Sequence, residues 1–163
     1  MGKTEKLIGL ALAGTTAASL ILAGTAFASE PAAPCRAAEV ELFTNEAGQQ
    51  GPVKGSGLFF GTLAEDGECT LTGYVQDVRL LDAGKRPIPA VATRDTSQPV
   101  RVAQVSHGPG AEVGLTWADG PTVPAYLEVR LPGADETSVV DWKGGGIDPA
   151  QPLFFTAVQP THA

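Results

Sequence analysis

The stretch Gly67–Ile88, GECTLTGYVQDVRLLDAGKRPI, decides the fold of this 163-residue chain. Asp66-Gly67 just before it is a hairpin-type turn signal. Cys69, Leu71 and Gly73 then fall on one side of an extended chain, with Thr70, Thr72 and Tyr74 on the other. Val78, Leu80 and Leu81 carry the apolar pattern on to Asp82-Ala83-Gly84, a second turn. Short strands between turn signals recur along the rest of the chain, with no internal repeat and no second domain.

Upstream, Ala38, Val40 and Leu42 alternate with Glu39 and Glu41, as a half-buried strand does. Asn45–Gly57 reads as a polar, glycine-rich connection, and Leu58-Phe59-Phe60 through Leu63 as a more buried strand. Downstream, Pro87 and Pro89 remove ladder donors, so Ala90–Thr93 belongs at an edge or outside the sheet. Val100, Val102 and Val105 mark another strand. Val113, Leu115 and Trp117 alternate with Gly114 and Thr116 after the Ser106–Gly110 turn. Tyr126–Leu131, Val139–Trp142 and Leu153–Val158 complete the pattern. No segment keeps a helical period. The expectation is an all-β domain of about seven to nine short antiparallel strands. Two facing sheets are the usual solution, with an up-and-down barrel as the alternative.

The first 28 residues read as a secretory signal peptide. Lys3 and Lys6 form a basic head, Leu7–Ala23 is largely apolar, and Ala26-Phe27-Ala28 before Ser29 offers a small-x-small cleavage site. The competing reading is a retained anchor, since Leu7–Ala28 is long enough to span a bilayer. The expected organisation is therefore a signal peptide over 1–28, a short tether over 29–34 and a β-sandwich domain over 35–160, secreted or cell-wall associated and off the membrane once cleaved.

The chain has 11 Lys and Arg against 18 Asp and Glu, a formal charge of −7, and loss of Lys3, Glu5 and Lys6 makes the remainder more acidic. The remaining cations are scattered, with only Lys85-Arg86 adjacent. Nucleic-acid binding needs clustered positive charge, so that class is set aside. Export also bears on the cysteines. Cys35 and Cys69 are the only two, and thiols in an oxidising compartment become disulfides where geometry allows. Such a bond closes a loop of about 35 residues, worth roughly 3–4 kcal/mol. A metal site lacks a second ligand at the right spacing, and a reactive thiol lacks a histidine near in sequence.

Residues across the middle of the chain resemble the secreted actinobacterial domains grouped as domain of unknown function 4232. The matching pieces are Leu42-Phe43-Thr44-Asn45, Cys69–Tyr74, Val78 with Leu80-Leu81-Asp82 and Gly84, Gly108-Pro109-Gly110-Ala111 before Leu115-Thr116-Trp117, and Leu127, Val129 and Leu131-Pro132-Gly133. Val75 stands where that family usually has proline, a further cysteine after the tryptophan strand is absent, and Asn45–Leu58 is longer than usual. The resemblance implies an immunoglobulin-like antiparallel β-sandwich, with no catalytic residues to carry over.

Candidate chemistry is sparse. Ser106-His107 is the nearest approach to a nucleophile and base, and a hydrolase using His107 would need a serine and a carboxylate converging on it. Asp66, Glu68, Asp77 and Asp82 match no metal-loop spacing and read as solvent-facing acids. Lys143-Gly144-Gly145-Gly146 has the composition of a phosphate loop, but Pro149 and Pro152 oppose the helix such a loop requires, so it reads as a flexible loop. Trp142, beside those glycines, is the candidate for an exposed ligand contact. Glu65–Glu68, next to Cys69, is the one loop an inhibitor of secreted proteases could use. The resulting expectation is a non-enzymatic, cofactor-free and metal-free monomer that binds a protein or envelope component.

Overall fold

The alternation at Val113, Leu115 and Trp117 sits in the longest uninterrupted inward/outward pattern of the molecule, strand Ala111–Ala118. The structure, a computed structural model, describes residues 32–161. Residues 1–28 with Ala26, Ala28 and Ser29, the start of the tether, and His162 lie outside the described residues.

Among the described residues, twelve strands follow a 3-10 turn at Ala37–Glu39. They are β1 (Val40–Thr44), β2 (Gly48–Gln50), β3 (Val53–Thr62), β4 (Cys69–Thr72), β5 (Gln76–Leu81) and β6 (Ala92–Arg94), then β7 (Val102–Val105), β8 (Ala111–Ala118), β9 (Tyr126–Arg130), β10 (Thr137–Asp141), β11 (Leu153–Phe155) and β12 (Gln159–Pro160). A seven-stranded sheet runs β1-β3-β8-β11-β6, with β2 added to β3 and β12 to β8. A three-stranded sheet, β10-β9-β5, and a two-stranded one, β4-β7, complete the fold. Pairing is antiparallel except between β11 and β6. The protein is all-β and sandwich-like. Leu58, Phe60, Val113, Leu115 and Phe155 of the large sheet join Leu71, Leu80, Ala103, Val105, Leu127 and Val129 of the two smaller ones in a single apolar core.

Cys35 and Cys69 are bonded, with Cα atoms 4.8 Å apart. The chain before Cys35 is not a free tether at its end. Cys35 N–H donates to the Thr70 carbonyl at 3.0 Å and Thr70 N–H to the Ala33 carbonyl at 2.9 Å. This parallel bridge covers the outer edge of β4, which would otherwise be an open pairing template.

Several expected boundaries move. The strand count exceeds nine because β2, β6 and β12 are too short to leave an apolar signature. Asn45–Gly57 is mostly a hairpin, β2 with the first half of β3, turning at Gly51 with φ +63°. It lacks apolar alternation because its backbone, rather than its side chains, ties it to β8. The Asp66-Gly67 turn does not make a hairpin: β3 pairs β8 while β4 pairs β7. The turn carries the chain between sheets, with the Thr62 hydroxyl held by the Ala64 and Gly67 carbonyls at 2.9 and 3.0 Å. In β7 the inward residues are Ala103 and Val105, leaving Val102 64% exposed. Val102 and Val105 differ in parity, so one strand cannot bury both. Gly73, at φ +100°, ends the β4 pattern rather than continuing it. Ala90–Arg94 does lie at an edge, as the prolines require.

Candidate functional site

Apart from Ala26, Ala28 and Ser29, each expected site residue can now be placed. His107 is exposed in the β7–β8 turn, and among the described residues its side chain makes no hydrogen bond or ion pair. No serine hydroxyl or carboxylate is hydrogen-bonded to it. Asp82 serves its own turn, accepting from the Gly84 and Arg86 amides at 2.8 and 2.9 Å and pairing with the Arg86 guanidinium at 2.7 Å. Those Arg86 hydrogen bonds, backbone first, hold its carboxyl below the usual range. Asp77 pairs with Arg130 at 2.8 Å. Glu65, Asp66 and Glu68 are exposed. Among the described residues no three His, Cys, Asp or Glu side chains gather at metal-binding distance.

Trp142 requires a correction. It is buried, 7% exposed, with its ring 4.7 Å from that of Trp117. The glycines beside it are the reason. The Trp142 Nε1–H donates to the Gly145 carbonyl at 2.9 Å and the Trp117 Nε1–H to the Gly146 carbonyl at 3.1 Å. A side chain at Gly144 would strike both rings, coming within 2.7 Å of Trp117. Ile147 and Thr122 exchange backbone hydrogen bonds at 2.7 and 3.2 Å. The segment is thus pinned rather than flexible. It offers carbonyl oxygens, not amide hydrogens, to its interior, the opposite of what a phosphate cradle needs. Lys54 Nζ lies 2.7 Å from Asp119 at the same end, and this contact lowers the Asp119 carboxyl pKa.

One feature with room for a ligand lies on the outer face of the large sheet. Because β8 alternates, Glu112, Gly114 and Thr116 point away from the core. Across the ladder they meet Phe59, Gly57 and Gly55 of β3, and Thr116 meets Phe154 of β11 on the far side. Glycines on adjacent strands leave backbone as the floor of a depression. The Phe59 ring lies over Gly57, where a Cβ would come within 2.6 Å of it, and stacks at 5.3 Å on Phe43 of β1. Phe154 is 40% exposed. Two adjoining concavities, about 470 and 580 Å³, share Gln98, Glu112, Gly114 and Thr156. The loop after β6 walls them, with Arg101 and Gln98 on their lining. Asp95 anchors that loop: its carboxylate accepts from the Ser97 amide at 2.9 Å and its amide donates to the Phe155 carbonyl at 2.8 Å. Hydrogen bonds from Ser97, side chain first, lower the Asp95 pKa.

The order of strands and the glycine pairing described above belong to a stretch that a family model recognises. The family described as Domain of unknown function (DUF4232) matches residues 35–159. The chain belongs to the DUF4232 family. No curated protein and no solved structure is matched. The DUF4232 match begins at Cys35 and ends at Gln159, so it takes in the disulfide, the tryptophan pair and all of the cleft lining but Pro160. Sequence reasoning did not find this cleft. Its only linear trace is the placing of Gly55, Gly57 and Gly114 at outward positions, which becomes visible once the β3–β8 register is known.

Proposed function

We propose that this protein is an exported, single-domain binding module of the cell envelope that uses its outer-face cleft and performs no covalent chemistry. The observation that carries the reading is the cleft: a glycine-floored depression with an exposed Phe154, on a sheet whose other face is fully packed. Glycine pairs weaken strands, and a Phe154 left 40% exposed forgoes part of the burial that is worth about 1.5–3 kcal/mol when complete. Both are the compromises expected where a sheet face serves a ligand. The basic head, apolar run and Ala26-Phe27-Ala28 support export, and a Cys35–Cys69 disulfide is compatible with an oxidising compartment. Scattered cations and an acidic balance speak against a nucleic-acid partner.

Co-sedimentation with isolated cell-envelope fragments tests the reading. The protein secreted into medium should begin at Ser29 and pellet with the fragments, and a Phe154→Ala variant should stay largely in the supernatant. Equal pelleting of both would move the site elsewhere. Consumption of the fragments into soluble products by the protein would replace binding with catalysis.

A further inference from the structure

We infer that the outer-face cleft takes an uncharged oligosaccharide, laid across the strands and held by ring faces and polar side chains. The inference rests on the binding-module reading above, and three properties of the cleft select this ligand chemistry.

The first is charge. Arg101 is the cation on the lining, against Glu112 and Asp95, and the Asp95 carboxylate is already engaged by the Ser97 amide. A polyanion would need several cations here, and a basic partner would need an unengaged acidic cluster. The second is backbone. β3, β8 and β11 are each hydrogen-bonded to neighbours on both sides, so the floor has no free row of N–H and C=O groups for a peptide strand to extend. The third is the spacing of the apolar surfaces. Phe59 and Phe154 stand on strands either side of β8, opposite Glu112 and Thr116 respectively, so they lie diagonally, roughly 10 Å apart across the strands and about 13 Å along them. One sugar ring cannot lie against both, so the ligand is a chain of them. Each ring would offer a C–H face to an aromatic ring. Its rim of hydroxyls would reach Gln98, Glu112 and Arg101, side chains with no hydrogen-bond partner among the described residues.

The test is an amide NMR titration with soluble hexasaccharides of glucose, N-acetylglucosamine, xylose and mannose, with mixed-sequence unstructured peptides as the comparison probe. At least one hexasaccharide should shift amides concentrated at Gly55, Gly114 and Gln98. Phe154→Ala should weaken that binding roughly tenfold while the remaining amide spectrum keeps its native dispersion. If Phe154→Ala fails to fold, Gln98→Ala on the exposed loop replaces it, with several-fold weakening expected. Cleft shifts with peptides and none with any hexasaccharide would overturn the oligosaccharide and leave the binding module standing. Silence from every probe, or shifts confined to another surface, would overturn the cleft as the site and the functional reading with it.

Discussion

The two faces of β8 share a backbone and differ in everything else. Inward, Ala111, Val113, Leu115 and Trp117 are 0–3% exposed and reach the core from one end of the sandwich to the other. Outward, Glu112, Gly114 and Thr116 make no side-chain hydrogen bond or ion pair among the described residues, and the central one has no side chain at all. The inner face carries the apolar burial that holds the sheets together. The outer face carries little of its own, and its glycines make room for neighbours: the Phe59 ring lies over Gly57 and the Thr156 side chain over Gly114, with Phe154 40% exposed beyond them. On the proposed reading, one strand separates folding from recognition by residue parity alone. This leads to the central claim: the inner positions set stability, and the outer ones can change without much loss of it.

The hardest blow to the inner face is Trp117→Ala. It removes a buried indole together with its hydrogen bond to Gly146 and its contact with Trp142. Denaturant unfolding should register a loss of roughly 3–5 kcal/mol, and a loss below about 1 kcal/mol would mean the inner face is not the stabilising one. Next comes the bond that ties the N-terminal end to β4. Cys69→Ala should cost about 2–4 kcal/mol by the same measurement, and thiol labelling of the denatured, non-reduced native protein should find no free thiol. Two labelled thiols would remove this contribution from the account.

Smaller effects sharpen the contrast. His107 belongs to neither face, exposed in its turn, so His107→Ala should stay within about 0.5 kcal/mol and leave envelope binding intact. A turnover activity that vanished with this substitution would revive a hydrolase. The smallest effect is on pH. The carboxyl groups of Asp82, Asp95 and Asp119 are lowered by Arg86, Ser97 and Lys54 respectively. A carboxyl lowered in the folded state stabilises above its unfolded pKa, and that stabilisation is lost as pH falls through the folded value. Thermal midpoints should therefore be flat through neutral pH and decline only in the acid range. Replacing Asp82 with Asn should reduce that decline slightly, given how exposed these groups are.

Much of the inner face was legible before any coordinates, because a buried strand face writes itself into the chain as alternation. Val113, Leu115 and Trp117 are the plainest case, and the pairing of Cys35 with Cys69 followed from their number. What escaped was pairing by backbone. Val53–Gly57 joins β8 through its main chain, and glycines and serines give no alternation to read. The same gap hid the cleft, whose floor is built from residues without side chains on strands distant in sequence. Trp142 was misplaced because its glycine neighbours resemble a loose loop. In the folded chain Gly144 leaves the room that the two indoles occupy.

The most direct measurement is equilibrium unfolding of the double variant Glu112→Ala/Thr116→Ala beside Trp117→Ala, two outward positions of one strand set against one inward position. The account predicts that the double variant stays within about 1 kcal/mol of the parent while Trp117→Ala falls by roughly 3 kcal/mol or more. Comparable losses in the two would contradict the division of β8 into an inner face that sets stability and an outer face free to change.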